Sequence, residues 1–514
     1  MPNSIFLTLN ESEYLILKNL NQPCALFSCN RDKSWSTECA GKNVYLLPFL
    51  GASGDVDKVK RVLLELQGKC PKPRAVATFK YGDLAFNRLD EYLKAIGDDD
   101  AASFYLDSIL MGDDLAHPIT ELEIPEELQQ EMAKHELEFP EEVMIGVAGD
   151  FARLYSEYLE SPPAFFYFSF LTCLGAILSG RATCESELAP QPRLFTLILG
   201  ESADDRKSTS ISKTVEFFRE SLYQGCLHIS WGVGSAEGLV GLFDESNGGN
   251  KRVLLCLDEF KQFVSKTLIE SSVLLPCVNT LYESNTFHSR TKSSAIALDD
   301  AHLSLLAAST IATYERTWTS AFFDIGFTNR LLIIPGTASR KFAIPPMIPP
   351  KEKMKLRSNL GSILALVGEE LRLSFTIEAL RLYDGWYQNR QTSVHSKRLD
   401  TYAMRFMVLL AVNDGRDHID DEIVRRSVRL VDWQLAIRRA FDPIDAENKV
   451  ARLEAEISRV LLRKGPLTKR ELQQYAHAAR YGTWLFNAAL SNLKKDQQID
   501  FDMERKRVLL KERV

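Results

Sequence analysis

The sequence has no paired cysteine motif and no sign of a signal peptide. Its nine cysteines are scattered, and Cys24, Cys29 and Cys39 have no histidine at zinc-ligand spacing. The first residues lack a charged segment followed by an apolar run. Internal repeats and low-complexity tracts are also missing, which excludes solenoid and fibrous proteins. We therefore expect a cytoplasmic protein whose thiols are reduced and mostly buried.

Long apolar segments are scarce as well, with one exception. Residues 161–180 carry no charge over a length that could span a bilayer. Their apolar part, Ala164 to Leu178, is shorter and includes Tyr167, Ser169 and Thr172. No second segment of this kind follows. The pattern favours a buried core helix over a membrane span, and we expect no membrane association.

The composition is that of an ordinary globular protein, but the charge is unevenly distributed. The chain has 514 residues and a net charge of −7, and this length predicts about three to four domains. Residues 97–142 hold fifteen acidic side chains and one basic one, whereas residues 449–514 hold fifteen basic and eight acidic ones. The first stretch predicts a solvated linker and the second a basic domain, while the rest of the chain is neutral.

A candidate phosphate loop lies in the middle of the chain. The apolar run Leu194–Leu199 predicts a buried parallel strand, and Gly200 follows it directly. Lys207-Ser208-Thr209 then opens an amphipathic helix, so strand, loop, Lys-Ser and helix occur in the order that a phosphate loop requires. The lysine would neutralise the β- and γ-phosphates of ATP, and the Ser208 hydroxyl would bind Mg²⁺.

The spacing of this loop departs from the usual motif, which is glycine, four residues, then Gly-Lys. Gly200 lies seven positions before Lys207, and Arg206 replaces the second glycine. Asp204 and Asp205 also place negative charge in a loop that binds anions. An ordinary strand-to-helix turn with surface charges is the alternative interpretation.

A second motif follows at a suitable distance. Val253–Leu257 predicts another buried strand, and it ends at Asp258-Glu259. This is the Walker B form, in which Asp258 holds Mg²⁺ through water and Glu259 orients and deprotonates the attacking water. The interval of about fifty residues after Lys207 leaves room for a helix, the strand Leu227–Trp231 and another helix.

Two further strands complete the pattern. Leu303–Ala308 ends at Ser309-Thr310, whose hydroxyls can lie between the two motifs and hold the lytic water. Arg330 directly precedes the apolar run Leu331–Ile334. An arginine in that position suits a finger that reaches the γ-phosphate bound by a neighbouring subunit. A surface salt bridge is the alternative for Arg330.

The order of these motifs is similar to that of AAA+ ATPases. More closely, residues 161–439 resemble the primase–helicase-type ATPases of phages, plasmids and other mobile elements. Their phosphate loop often reads Arg-Lys-[Gly/Ser]-Thr, as Arg206 to Thr209 does, and Ser235-Ala-Glu-Gly-Leu239 fits a segment after their second strand. The resemblance implies that ATP and Mg²⁺ are the cofactors and that Arg206 and Thr209 belong to the nucleotide site. It also implies a homo-oligomeric ring, preferably a hexamer.

The chain after Pro350 has helical patterns. Tyr402–Val412 is apolar on nearly every face and looks like the helical lid of such ATPases, where an arginine can touch the nucleotide from above. We assign Arg405 to that role, with Arg398 or a purely structural salt bridge as alternatives. Residues 419–438 predict another helix, with Trp433 in its packing face.

The basic C-terminal region predicts a winged helix-turn-helix. Helical spacing at Val450–Leu462 is followed by a capping box, Thr468-x-x-Glu471, then by another helix and two β-like segments. With its excess of positive charge this domain is expected to bind DNA through phosphate contacts. The candidate wing residues are Arg505, Lys506 and Arg507. Many winged helices bind only protein, which is the alternative.

The N-terminal region resembles a Toprim domain, the metal-dependent nucleotidyl-transfer fold of primases and topoisomerases. Glu11 matches the first catalytic acid of that family, but the Asp-x-Asp that holds Mg²⁺ aligns with Phe49-Leu50-Gly51. Phenylalanine and glycine cannot coordinate a hard cation. The resemblance therefore implies a docking or nucleic-acid-holding module without polymerase or nuclease activity. An unrelated small α/β domain is the alternative.

The predicted fold class is α/β and multidomain. The domains are a degenerate Toprim-like domain at 1–96, an acidic linker at 97–150, a P-loop core with a parallel sheet at 151–345, a helical lid at 346–445 and a winged helix at 446–514. The predicted function is an ATP-dependent DNA motor, replicative-helicase-like or a translocase, of a phage or mobile element. The alternative is an ATP-gated adaptor or loader, or a phage-defence ATPase without helicase activity, with a replication or defence protein as partner. DNA-stimulated turnover and strand separation distinguish the two.

Overall fold

The computed structural model divides the chain into two compact units, residues 1–135 and 136–514. The residues it describes are 4–8, 11–20, 22–26, 39, 42–47, 74–76, 79–81, 84–86, 89–97, 106, 119–121, 137–201, 205–223, 225–269, 272–290, 295–318, 322, 326–390, 393, 395–442, 449–496, 498–502 and 507–510.

The first unit contains a five-stranded sheet. Its elements are β1 (Ser4–Thr8), α1 (Glu11–Asn19), β2 (Cys24–Leu26), β3 (Asn43–Leu46), β4 (Arg74–Val76), β5 (Phe79–Tyr81), β6 (Leu84–Phe86), α2 (Leu89–Ile96) and β7 (Ile119–Glu121). The strand order is β2-β1-β3-β4-β7, in which β7 runs antiparallel to β4 and the other pairs are parallel. The segment 97–150, predicted to be a linker, thus contributes an edge strand, because the backbone of β7 pairs with β4.

The second unit contains most of the described residues. Its first part comprises α3 (Gly146–Leu159), α4 (Pro163–Leu178), β8 (Ala182–Cys184), β9 (Phe195–Gly200), α5 (Lys207–Ser221), β10 (His228–Trp231), α6 (Ala236–Gly241), β11 (Arg252–Leu257), α7 (Phe260–Thr267), α8 (Leu274–Glu283), β12 (Phe287–Arg290), β13 (Ala295–Leu298), β14 (His302–Thr310), α9 (Ile311–Thr317) and β15 (Leu332–Pro335). Its second part comprises α10 (Pro350–Val367), β16 (Leu371–Phe375), α11 (Ile377–Asn389), α12 (Leu399–Asn413), β17 (His418–Ile419), α13 (Asp421–Phe441), α14 (Lys449–Lys464), β18 (Leu467–Thr468), α15 (Lys469–Tyr475), α16 (Thr483–Lys495), β19 (Ile499–Asp502) and β20 (Arg507–Leu510).

A five-stranded parallel sheet forms the centre of this unit. Its order is β10-β11-β14-β9-β15, so β14 lies between the strand before the candidate phosphate loop and the strand before Asp258. Four of these strands were expected from apolar runs, because a parallel strand covered on both faces has no need of polar alternation, and the half-buried edge strand β10 was expected at Leu227–Trp231. The prediction of an α/β fold with a central parallel sheet is confirmed.

Helix α4 is the uncharged segment of the sequence, and it is a core element. Every residue from Ala164 to Leu178 is buried, and the Thr172 hydroxyl is 2.6 Å from the hydroxyl of Thr196 in β9. The hydroxyls of Thr172 and Tyr167 are thus bonded inside the protein, the latter to Val143 O (3.2 Å), as burial requires. No helix in the described ranges has the length and apolar character needed to cross a membrane.

The helices after residue 350 pack on the sheet and share its hydrophobic core. In α13, the side-chain amide of Gln434 accepts a hydrogen bond from Ile333 N (2.8 Å) and donates one to Ile333 O (2.9 Å). One glutamine thereby satisfies the open edge of β15. Farther along, β16 pairs with β8. The region expected to be a lid therefore closes the side of the core.

The C-terminal region has its own hydrophobic core. A helix, a short strand and two helices are followed by an antiparallel hairpin, and the strand order is β18-β20-β19. Thr468 and Glu471 form the predicted capping box at the start of α15. Arg505 and Lys506 lie outside the described residues, and Arg507 begins β20 in an exposed position.

Candidate functional site

The candidate phosphate loop joins β9 to α5. Gly200 ends the strand and Lys207 begins the helix. Arg206, at the helix N-cap, has φ 56°, in the left-handed region that favours glycine. This is the position at which the usual motif has its second glycine, so an arginine here costs about 1–2 kcal/mol. The Ser161 hydroxyl donates to Arg206 O (2.9 Å) and holds this turn.

Gly200 is required by the side chain of Asp205. A Cβ at position 200 would lie 2.7 Å from a carboxylate oxygen of Asp205, so no other residue fits without a shift. Asp205 is buried, and its carboxylate accepts a hydrogen bond from Ala338 N (3.1 Å). This carboxylate fixes the loop to the segment that follows β15. The unusual spacing of the motif thus has a structural counterpart, an acidic side chain folded into the loop.

Lys207 lies at the centre of this arrangement. Burial lowers the pKa of its ammonium, and the carboxylates of Asp205 and Asp258 oppose that shift. Lys207 begins the helix after β9 and Asp258 follows β11, so the parallel strands place both residues at the carboxyl edge of one sheet. A buried ammonium beside a carboxylate at the carboxyl edge of a parallel sheet is suited to bind a metal–phosphate group.

The remaining carboxyl-edge residues follow from the strand order. Asp258 and Glu259 are exposed at the end of β11, and Glu259 has extended backbone directly before α7. Ser309 and Thr310 end β14, where they are in register with Leu199 and Gly200. The Thr310 hydroxyl accepts a hydrogen bond from Thr313 N (3.1 Å) and caps α9. Movement at Thr310 would therefore also move that helix.

Two residues with hydroxyl side chains, Ser208 and Thr209, lie at the start of α5. Ser208 is exposed and Thr209 is half-buried, and both lie in the first turn beside Lys207. The described residues contain no group of three or more His, Cys, Asp or Glu side chains arranged to hold a metal ion alone. Mg²⁺ bound with a nucleotide needs only one or two protein ligands, because phosphates and water supply the rest. Asp258 and Ser208 fit that requirement.

Sequence analysis did not identify Glu160, which contacts the loop through the side chain of Arg206. Its side chain is 3% exposed, and one oxygen accepts hydrogen bonds from the backbone N–H groups of Lys341 and Phe342. The N–H groups of Phe342 and Lys341 hold the pKa of Glu160 below its ordinary value. Its other oxygen lies 3.4 Å from the Arg206 guanidinium. The only signal in the sequence was an acid at the end of α3, which is ambiguous because acids are common at such places.

Arg405 lies away from this edge. Its guanidinium is buried, donates to the carbonyls of Arg193 and Tyr282 (both 2.7 Å) and stacks on the Tyr282 ring. Arg193 precedes β9, so Arg405 lies at the amino edge of the sheet. The length of β9, roughly 17 Å, separates this edge from Gly200. It holds α12 to the core rather than touching a nucleotide from above. We therefore leave Arg405 out of the proposed site.

Arg398 and Arg330 are also outside this edge. Arg398 forms an ion pair with Glu283 and lines a cavity of about 710 Å³ beside α12. Arg330 lies two positions before β15 and donates to Gly326 O (2.8 Å), while its own carbonyl accepts from the Tyr402 hydroxyl (2.6 Å). Because β15 runs parallel to β9, Arg330 lies at the amino edge of the sheet, opposite the edge where Gly200 ends β9. Any role as a finger requires a neighbouring subunit.

The C-terminal region reaches the carboxyl edge directly. At the end of α14, the Lys464 ammonium lies 3.0 Å from the carboxylate of Glu201, the first residue after β9. Arg463 pairs with Glu315 of α9 (2.7 Å). Two consecutive cations thus bind the two elements that follow β9 and β14. Pairs between residues this far apart in the chain could not be predicted from local sequence patterns.

The region of the first unit that resembles a Toprim domain is only partly described. Glu11 begins α1 three positions after the last residue of β1, as the Toprim resemblance implies. Its side chain is not among the parts of the chain that the structure describes. Phe49, Leu50 and Gly51 also lie outside the described residues. The sequence matches no protein-family model and no curated protein. The chemistry assigned below therefore rests on the residues of this chain.

Proposed function

We propose that this protein is a P-loop ATPase that acts on DNA, a replicative-helicase-like or translocase motor. The observation that supports it most is the placement of Lys207 and Asp258 at the carboxyl edge of one parallel sheet, with the polar end of β14 between their strands. Phosphate binding at such an edge uses helix N-terminal N–H groups and a lysine together. The strand order supports the AAA+-like assignment made from the motifs.

Each residue at this edge has a role in that proposal. Lys207 and the first N–H groups of α5 bind the β- and γ-phosphates, with Thr209 and Gly200 shaping the loop. Ser208 and Asp258 hold Mg²⁺, which neutralises charge on the phosphates. Glu259 orients the attacking water and accepts its proton. Ser309 and Thr310 report the γ-phosphate, and the cap that Thr310 forms passes this information to α9.

The flanking regions supply the link to DNA. We propose that the C-terminal region is a winged helix, because its element order is helix, strand, two helices and hairpin and its net charge is positive. The Lys464–Glu201 and Arg463–Glu315 pairs attach this domain to the catalytic edge. The first unit is a Toprim-like docking module without catalysis.

The proposed assembly is a homo-oligomeric ring, with a hexamer preferred. Arg330 lies at the amino edge and can act as a finger only on the nucleotide of a neighbour. Mixing an Arg330→Ala chain with a Lys207→Met chain tests this, because each lacks a different half of the shared site. Recovery of turnover in the mixture supports a finger in trans. Failure of the mixture, with both chains folded and co-assembled, removes Arg330 from the mechanism.

A second candidate is an ATP-gated adaptor or loader, or a phage-defence ATPase without helicase activity. The position of Asp205 favours it, since a buried carboxylate against Gly200 and beside Lys207 opposes the entry of phosphate. Such a loop suits a slow switch better than a fast motor. Both candidates bind ATP, and they differ in turnover and strand separation.

The test is ATP hydrolysis by the full chain with and without single-stranded DNA, beside Glu259→Gln. We expect the variant to lose about 10²- to 10⁴-fold in turnover, the usual contribution of a general base, and to keep ATP binding. Glu378→Gln, in the exposed first turn of α11, is the matched control. No turnover of the wild type under any condition would reject the motor and favour the adaptor. Strand displacement that Glu259→Gln abolishes would establish the motor.

A further inference from the structure

A small cavity lies between α9 and the C-terminal region. It has a volume of about 240 Å³, the volume of about eight water molecules. Its lining includes five arginines, Arg316 from α9 and Arg452, Arg459, Arg463 and Arg480 from the C-terminal region. A pocket for a drug-sized molecule is larger, about 300–1,000 Å³. The cavity is therefore suited to one small anionic group and its hydration rather than to a whole nucleotide.

Acidic side chains do not balance these arginines. The lining contains two glutamates, Glu315 and Glu456, which leaves an excess of three positive charges. Glu315 already pairs with Arg463 (2.7 Å). Glu456 accepts from the Tyr481 hydroxyl (2.9 Å) and lies 3.7 Å from Arg452. The surplus therefore falls on Arg316, Arg459 and Arg480, of which Arg316 and Arg480 are exposed.

These cations are close enough to repel a further proton. Burial lowers the pKa of His477, and Arg480, Arg316 and Arg463 lower it further, while Glu315 opposes the shift. Like charges gathered in a partly enclosed space focus their field on its interior. Their mutual repulsion costs free energy that a bound anion would relieve. The geometry and the charge therefore both point to an anion with several acceptor oxygens, such as a phosphate group.

The rim of the cavity adds an aromatic surface. Tyr475, at the end of α15, is 44% exposed, and the Lys464 ammonium lies 4.5 Å from its ring centroid. Arginines combined with an exposed aromatic ring are typical of surfaces that bind single-stranded nucleic acid, in which bases stack on rings. A free phosphate compound would make no use of this ring. An acidic peptide would present carboxylates but no planar base to stack.

We propose that this cavity binds a backbone phosphate of single-stranded nucleic acid, with an adjoining base stacked on Tyr475. The site lies on α9, α14, the end of α15 and the turn at residues 476–481, and its lining includes no residue of α16 or of the β19–β20 hairpin. It is thus a nucleic-acid contact additional to the helix and wing by which a winged helix binds a duplex. The proposal deepens the DNA-binding part of the proposed function but does not depend on ATP hydrolysis, so the two can fail separately.

The test measures binding of a fluorescent oligo(dT) to the full chain by anisotropy over a range of salt concentrations. The double variant Arg316→Gln, Arg480→Gln removes two exposed charges from the cavity. We expect about tenfold weaker binding and a salt slope reduced by about 0.7 for each lost phosphate contact. Lys469→Gln, Arg470→Gln is the matched control, because it removes two exposed charges of the same domain outside the cavity lining. Its effect should be smaller.

Two further measurements separate the sources of phosphate. Tyr475→Ala should weaken oligo(dT) binding about 5- to 100-fold, whereas Tyr475→Phe, which keeps the ring, should not. Tripolyphosphate should compete only weakly with oligo(dT). Equal binding by the cavity variant and the wild type, with the same salt slope, would overturn the proposal. Loss of tripolyphosphate binding in the cavity variant with unchanged oligo(dT) binding would also overturn it, and would assign the cavity to free phosphate compounds.

Discussion

The two edges of the central sheet hold charged side chains in opposite ways. At the amino edge, Arg193, Arg405 and Arg438 are buried and donate their hydrogen bonds to backbone carbonyls. At the carboxyl edge, Asp258 and Glu259 are exposed at the end of β11. The arginines join helices to the ends of strands, whereas the carboxylates face the solvent where a ligand can reach them.

This difference separates framework from chemistry. A buried arginine whose donors are taken up by main-chain carbonyls cannot leave them without exposing unsatisfied polar groups. It is therefore fixed, and its removal should change stability. An exposed carboxylate beside a phosphate loop contributes little to stability, and its removal should change only binding or turnover. Substitutions at the two edges are expected to have effects of different kinds.

The largest expected effect is that of Arg405→Met at the amino edge. The substitution leaves the carbonyls of Arg193 and Tyr282 buried without a donor. We expect the free energy of unfolding to fall by about 3–5 kcal/mol. Urea-induced unfolding followed by tryptophan fluorescence measures it, and ATP affinity of the folded fraction should be unchanged.

The control for this prediction is Arg398→Met. Arg398 lies about two helical turns before Arg405 and forms a half-exposed ion pair with Glu283. Its substitution should therefore lower the free energy of unfolding by less than about 1 kcal/mol. Equal losses from the two substitutions would mean that burial at the amino edge does not set its stability. A selective loss of ATP affinity in Arg405→Met would return this arginine to the nucleotide site.

The next largest effect is expected at the carboxyl edge, where a substitution should weaken ATP binding and leave stability nearly unchanged. Lys207→Met should weaken ATP binding about 100-fold, or about 2.7 kcal/mol, because the methionine cannot neutralise phosphate. Since burial already disfavours the lysine ammonium, the unfolding free energy should change by less than about 1 kcal/mol. Titration with a fluorescent ATP analogue measures the first quantity.

Lys213→Met is the matched control for Lys207→Met. Lys213 lies in the same helix, is exposed and pairs with Glu216 (2.7 Å). It should leave ATP binding unchanged. If both lysines proved equally important, nonspecific attraction by the helix would explain the affinity, and the phosphate-loop assignment would lose its support.

The difference between the edges also predicts a pH dependence. His302 begins β14 at the amino edge, and burial lowers its pKa from 6.5 to about 4, with Arg193 adding to the shift and Asp300 opposing it. Between these values the unfolded chain binds a proton that the folded protein excludes. The free energy of unfolding should therefore fall as the pH falls, by about 2 kcal/mol between pH 6.5 and 4.5.

His302→Gln should remove this part of the acid sensitivity. The measurement is urea unfolding at both pH values, and the quantity of interest is the difference in pH dependence between variant and wild type. His288→Gln is the control, because His288 is exposed and should follow the wild type. If His302→Gln kept the full acid loss, the carboxylates would account for it.

The strands and the buried helix could be predicted from the sequence because each depends on a local property. Apolar runs marked four strands of the central sheet to within two residues at each end, and the uncharged run marked α4. The segment 97–150 failed as a prediction of a linker because pairing of β7 with β4 depends on residues about forty positions earlier. Composition reports the charge of such a segment but not its pairing.

The candidate site was predictable to a similar degree. Lys207 and Asp258 each follow a strand, so parallel strands bring them to one edge. Arg405 and Arg330 looked equally suited to catalysis in the sequence, because burial decides the role of an arginine and burial depends on tertiary packing. The sequence signal for Glu160, an acid at the end of a helix, was too common to be specific, since its partners are the distant backbone N–H groups of Lys341 and Phe342.

The smallest expected effect concerns Asp205, which combines the features of both edges. It is buried and bonded to Ala338 N, as the amino-edge arginines are bonded to carbonyls, yet it lies in the phosphate loop. Asp205→Asn keeps the acceptor oxygen for Ala338 N and removes only the charge. We expect ATP binding to become about tenfold tighter, or about 1.4 kcal/mol, because phosphate no longer meets a carboxylate. Asp205→Ala removes the hydrogen bond as well and should lower stability by about 1–2 kcal/mol.

The direction of the Asp205→Asn effect separates the two proposed functions. Tighter ATP binding together with faster turnover would mean that the carboxylate restrains the loop, as expected of an ATP-gated switch. Weaker binding would mean that Asp205 instead holds Lys207 in place, since its charge stabilises the ammonium against burial. The loop would then be a motor's loop whose lysine is positioned by an internal acid, and the carboxyl edge would depend on a buried ion pair as the amino edge depends on buried arginines.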